Sequence, residues 1–172
     1  MAAGEARRAA SRVSQSIDWP ERYAAHRVAA RVSNEIFIDT GPDVVWSCLV
    51  RAAAWPEWYP NSADVRIDGG GLDLSARVTF TWRTFGITVH CRVRQFEPPF
   101  RIAWEGQAFA LDIYHVWLIE PKCGGTRVLT EEHQNGLAAR MQDIFMPRRM
   151  FREHALWLER LKERTEKEAL LF

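Results

Sequence analysis

The sequence predicts an α+β domain in which a seven-stranded, curved antiparallel sheet wraps around a long C-terminal helix, with two short helices after the first strand. Three observations carry this. Between 65 and 134, six segments of strand character are separated by turn signals such as Gly69-Gly70-Gly71, Pro98-Pro99 and Gly124-Gly125. From Leu137 onward the apolar residues Met141, Ile144, Phe145, Phe151, Ala155, Leu158 and Leu161 fall at helical spacing between charged ones. Pro42-Asp43, after a first apolar strand, opens a stretch with helical rather than alternating spacing.

Taken in order, residues 1–16 read as frayed or loosely helical. Asp18-Trp19-Pro20-Glu21 reads as a helix start, with Asp18 as cap, Glu21 three residues on and Pro20 in the first turn, the helix running toward Ala30. This divides the chain into an N-terminal helical arm, 1–31, and a ligand-binding domain, 32–168. The first strand is 32–39; a helix then carries Val44, Val45, Trp46 and Leu49, with Trp46 in the core, and a second covers 52–58. The later strands are 65–68, 75–84, 87–96, 101–107, 111–120 and 126–134. Pro147 interrupts the final helical pattern, which predicts a kink or two consecutive helices.

Strand and helix dimensions imply a cavity. Seven strands at about 4.8 Å make a sheet roughly 34 Å wide, whereas a helix with its side chains is about 10–12 Å across. The sheet must therefore curl, and the space along the helix must be filled by side chains or by a ligand, because voids are costly. Phe80 and Trp82 alternate with threonines, and Val89, Cys91 and Val93 with His90 and Arg92, giving one apolar and one polar face. Strand 111–120 is apolar on both: Ile113, His115, Trp117 and Ile119 alternate with Tyr114, Val116 and Leu118. Both faces must be covered, the outer one by the N-terminal arm or by a second subunit.

Composition narrows the function classes. With 23 Lys+Arg against 22 Asp+Glu the net charge is +1, which lacks the basic excess of a nucleic-acid binder. No apolar stretch reaches the roughly 20 residues needed to span a bilayer, and the N-terminus lacks a secretory apolar core. The three cysteines show no CxxC or Cys/His ligand spacing, so no metal and no cofactor are expected, and a cytoplasmic home is. Eight tryptophans supply material for a pocket wall.

The chain resembles the START/Bet v 1-like superfamily (SRPBCC), within it the polyketide cyclase/dehydrase and lipid-transport group. The resemblance rests on Ile36-Phe37-Ile38-Asp39 with Pro42-Asp43-Val44-Val45-Trp46, on Trp55-Pro56-Glu57-Trp58-Tyr59-Pro60, and on Glu97-Pro98-Pro99-Phe100-Arg101. Glu120-Pro121 with Gly124-Gly125-Thr126-Arg127-Val128 and Trp157-Leu158-Glu159-Arg160-Leu161 extend it over 32–166. It implies a helix-grip fold with a deep apolar pocket, and it brings no shared catalytic motif.

The pocket residues expected are Trp58, Phe80, Trp82, Val89, Cys91, Trp104, His115, Trp117, Met141 and Phe145. His115 is a core histidine or, facing the cavity, a general acid/base; Glu132 is a solvated strand end or a proton-shuttling carboxylate. His154 reads as a boundary residue on the last helix. Three functions follow: a binder of an aromatic, polyketide-like or lipid-like molecule; a cyclase or dehydratase using His115 or Glu132 in that pocket; or a homodimeric interaction module.

Overall fold

The computed structural model describes residues 17–146 and 148–170, so the reading of 1–16 lies outside the described residues. One sheet holds β1 (Ala30–Ile38), β2 (Ala63–Ile67), β3 (Thr79–Thr84), β4 (Ile87–Glu97), β5 (Arg101–Ala108), β6 (Leu111–Lys122) and β7 (Gly125–Asn135). Its order is β1-β7-β6-β5-β4-β3-β2, every neighbouring pair antiparallel. The last six strands thus form the expected meander and β1 closes the β7 edge. Helices α1 (Pro42–Val50) and α2 (Trp55–Trp58) follow β1, joined through a 3-10 turn at Ala52–Ala54. After β7 come α3 (Leu137–Phe145) and α4 (Arg149–Ala169), the two consecutive helices that the proline implied. This is a helix-grip fold.

Local chemistry explains the joints. Pro42 occupies the first turn of α1, where its missing N–H costs nothing, and the helix buries Val45, Cys48 and Leu49. The Trp55 indole N–H donates to the Leu49 carbonyl at 2.9 Å, satisfying one of the orphan acceptors at the end of α1. Phe85 and Gly86, with φ of 52° and 79°, make the tight β3–β4 turn that the sheet's twist requires. At Gly106 a Cβ would stand 2.8 Å from Ile113 and 2.9 Å from Val89, so the neighbouring side chains close over bare backbone where the sheet curls.

Two departures from the sequence reading have physical causes. The strand expected from Ser75 begins at Thr79, because the preceding loop folds back on α1: the Leu74 N–H donates to the Val50 carbonyl at 2.7 Å and the Leu74 side chain is buried. The helix expected at 18–30 is a single 3-10 turn, Glu21–Tyr23. Its backbone carbonyls are taken by side chains of the sheet, Gln95 reaching the Asp18 oxygen and Asn135 that of Arg22, so the segment lies flat instead of coiling.

That flat arm covers the outer face of the sheet. Tyr23 is fully buried in a cluster with Ala103, Tyr114, Val116 and Leu118, flanked by Ile17, Trp19 and Val28. Trp19 stacks on the His133 ring at 3.6 Å, and the His133 Nδ1–H donates to the Tyr23 carbonyl at 2.7 Å. The larger core lies on the concave side, where Trp55, Trp82, Trp104, Trp117 and Trp157 meet between sheet and α4. Among the described residues no helix is long and apolar enough to cross a membrane.

Candidate functional site

Alternation along β6 and β7 decides which polar side chains enter the concave core. Ile113, His115, Trp117 and Ile119 point inward with the larger cluster, and Tyr114, Val116 and Leu118 outward under the arm. His115 pairs across the ladder with Glu132, so the two side chains meet on the inner face. From the opposite side, α4 delivers His154 one turn before Trp157 and Leu158, its buried stripe.

These three form a buried cluster. His115 Nδ1 lies 3.0 Å and His154 Nε2 3.7 Å from Glu132 Oε2, with all three side chains less than a tenth exposed. Gln134 donates to the other carboxylate oxygen, Oε1, at 2.6 Å, and Thr130 Oγ1 sits 2.6 Å from His115 Nε2. The two imidazoles stack at 4.8 Å, and Trp104 packs against His115 at the same distance. Burial pushes the His115 imidazole down to about 4, against the upward pull of Glu132. Burial also pushes the Glu132 carboxyl up, but the charge and hydrogen bonds of His115 and His154 outweigh it and hold the group below the usual carboxylate range. Donor atoms of His115, Glu132 and His154 all lie within 4.8 Å of one another, a spacing that can hold a metal ion.

A cavity of about 60 Å³ opens on this cluster. Tyr59, Trp82, Val89, Ile113 and Trp157 give it apolar walls; Thr84, Gln134, Glu132 and His154 give it a polar edge, and Gln142 reaches it from α3. Within the protein, His154 Nδ1, Gln134 Oε1, Thr84 Oγ1 and the Trp157 indole N–H find no hydrogen-bond partner.

Of the expected pocket residues, Trp82 and Val89 line the cavity, and the acid/base candidate Glu132 borders it. Phe80, Cys91, Trp104, His115 and Trp117 are buried in the concave core behind it. Trp58 is elsewhere, half-buried in a shallow groove with Glu57, Arg160 and Arg164, because α2 turns its neighbour Tyr59 inward to stack on Trp157 at 4.6 Å. Met141 and Phe145 face solvent at 48% and 69% exposure, since α3 turns Ala139 rather than its large residues to the body. Sequence reading missed Tyr59, Ile113, Gln134 and Trp157 as lining and left His154 at the boundary. The spacing of His154, Trp157, Leu158 and Leu161, all buried on one stripe of α4, carried that signal.

The comparisons agree with this fold. A hypothetical protein of Helicobacter pylori, jhp0584, is 29% identical with a TM-score of 0.82, over 88% of this chain and 96% of that one. The ZhuI aromatase/cyclase of Streptomyces sp. R1128 superposes with a TM-score of 0.68 at 14% identity, over 81% and 95% of the two chains. The di-domain aromatase/cyclase StfQ of the steffimycin biosynthetic pathway does so at 0.67 and 15%, over 81% of this chain and 52% of its own. At such identities these two show the fold alone. No curated protein matches the chain. The family model described as polyketide cyclase/dehydrase and lipid transport matches residues 29–166, and the chain belongs to that family.

Proposed function

We propose that the protein binds an apolar small molecule, aromatic, polyketide-like or lipid-like, with one polar group directed at Glu132 and His154. The supporting observation is the conjunction in one cavity of an aromatic and aliphatic wall with a buried carboxylate–imidazole edge. Sites for such ligands usually measure about 300–1,000 Å³. The 60 Å³ present accommodates one end of the molecule, and the remainder needs α3 to move. That helix exposes Leu137, Met141, Ile144 and Phe145 to water, an arrangement that turning them over an apolar ligand relieves. Met141 and Phe145 remain ligand contacts in this reading. A cytoplasmic home belongs to it too, in keeping with three free cysteines, one of them exposed.

A second reading, a cyclase or dehydratase, is favoured by the position of Glu132 and His154 at the edge of the cavity, within reach of a bound chain. The homodimer reading loses its main support, because the outer face of β6 is covered by the arm.

Intrinsic fluorescence and thermal melting test the proposal. A screen of sterols, fatty acids, quinones and polycyclic phenols should yield a compound that changes tryptophan emission saturably and raises the melting temperature by mass action. Val89→Trp, which fills the cavity, should abolish both effects. A screen that shifts nothing with the native protein sinks the reading.

A further inference from the structure

We propose that His115, Glu132 and His154 form a binding site for a divalent first-row transition metal, with Zn2+ as its simplest probe. This goes beyond the apolar-ligand reading and does not depend on it. The donor set is two imidazoles and one carboxylate, drawn from β6, β7 and α4, a combination that zinc and non-haem iron sites use. Atoms bound to one ion at about 2.0–2.2 Å stand roughly 3–3.5 Å apart. The 3.0 and 3.7 Å separations from Glu132 Oε2 bracket that spacing, and the whole set lies within 4.8 Å, so a side-chain movement of about 1 Å brings the donors together.

The outer hydrogen bonds are those a metal site needs. Ligating histidines hand their second ring N–H to an acceptor, and His115 has Thr130 Oγ1 at 2.6 Å from Nε2, which leaves Nδ1 for the ion. Gln134 fixes Glu132 through Oε1 and leaves Oε2 toward the histidines. His154 is the one ligand that must move. Its ring is stacked on His115 with 19° between the planes, so the two lone pairs do not yet converge, and it must turn about its Cβ–Cγ bond. The turn breaks no hydrogen bond at the buried Nδ1, which has no partner to lose.

Charge completes the case. Glu132 is buried, and among the described residues no lysine or arginine pairs with it; its chargeable neighbours are the two imidazoles alone. A buried carboxylate is costly unless positive charge balances it, and a divalent ion supplies that charge where no lysine or arginine is at hand. Three protein ligands leave at least one coordination position open, as catalytic rather than structural sites do. The adjoining cavity of about 60 Å³ has room for the remaining ligands of the ion, at about 30 Å³ for each water.

The test uses the full-length protein stripped with chelator, then titrated with Zn2+ by calorimetry and with Co2+ by visible absorption. One ion per chain is expected, with a raised melting temperature and Co2+ bands lacking the thiolate charge-transfer component. Glu132→Gln and His154→Gln should each weaken Zn2+ binding by more than about 100-fold, beyond the roughly 10–100-fold expected for Thr130→Val, which removes only a supporting hydrogen bond. His90→Ala and Cys123→Ser, at exposed residues, should bind as the native protein does. Sub-stoichiometric Zn2+ with no thermal shift, or binding that survives Glu132→Gln and His154→Gln in folded variants, overturns the proposal. Should either variant fail to fold, the stoichiometry and Co2+ spectrum of the native protein decide. Running the apolar screen on stripped protein separates the two readings: metal without apolar ligand leaves this one standing, and the reverse leaves only the other.

Discussion

Trp46 and Trp55 lie in adjoining helices, yet they do different amounts of structural work. Trp55 is fully buried, meets Phe80, Trp82 and Trp157 edge-on, and has its indole N–H bonded to the Leu49 carbonyl. Trp46 is half-buried and rests edge-on against Phe96 at 5.2 Å. Urea titration should therefore show Trp55→Ala losing roughly 3–5 kcal/mol, the usual cost of truncating a buried aromatic. Trp46→Ala should lose about 1–2 kcal/mol, in proportion to its smaller burial. Equal losses would mean that the helices pack otherwise than described. The sequence placed Trp46 in the core because helical spacing identifies an inward stripe, but spacing does not say how deep that stripe lies. The partners of Glu132 were illegible for a related reason: His115 lies 17 positions before it and His154 22 after, and only ladder register joins the first pair.

Among the elements, the arm separates fold from finish. Its described residues contribute nothing to the concave core, whose members come from β1 through α4, but they supply Tyr23 and Trp19 to the outer face. Removal of residues 1–28 should leave a cooperative melt, with stability lower by at least about 3 kcal/mol for the loss of a buried aromatic. Bared Tyr114, Val116 and Leu118 should also make the shortened protein self-associate, visible as a larger hydrodynamic radius. An unchanged melting temperature would show that the arm does not pack there. Strand alternation made this face legible as needing a cover, and either the arm or a second subunit met that need. The flat path of the arm was not legible, because it depends on Gln95 and Asn135, residues remote in sequence that capture its carbonyls.

For the molecule as a whole, buried thiols and phenols set the alkaline limit. Burial raises Cys48 from 9.0 to about 12, with help from a hydrogen bond to Glu168, and raises Tyr23 from 10.0 to about 12 against the opposing charge of Arg22. Burial likewise raises Cys91 and Tyr59. The folded protein keeps these protons to higher pH than the unfolded chain does. Their contribution is therefore complete below pH 9 and drains away as the pH climbs from 9 toward 12. Calorimetric melting temperatures should be level from about pH 7 to 8.5 and fall progressively above 9, and Cys48→Ala should lessen the fall. A level profile to pH 11 would contradict the burial of these groups. The overall architecture was the most legible feature of all, since strand count, turn signals and the helical stripe each repeat along the chain. The size of the cavity was not, because it is the small remainder after large aromatics interlock.

The break between α3 and α4 divides labour within what the sequence presents as one apolar stripe. Helix α4 is tied to the body by Trp157, Leu158 and Leu161, where almost any change disturbs packing. Helix α3 meets the body through Ala139 and leaves Met141, Ile144 and Phe145 outside. Variation at those three positions is thus sheltered from the demands of folding. A lineage can try new side chains on the helix whose Gln142 reaches the cavity, while the scaffold beneath is inherited unaltered.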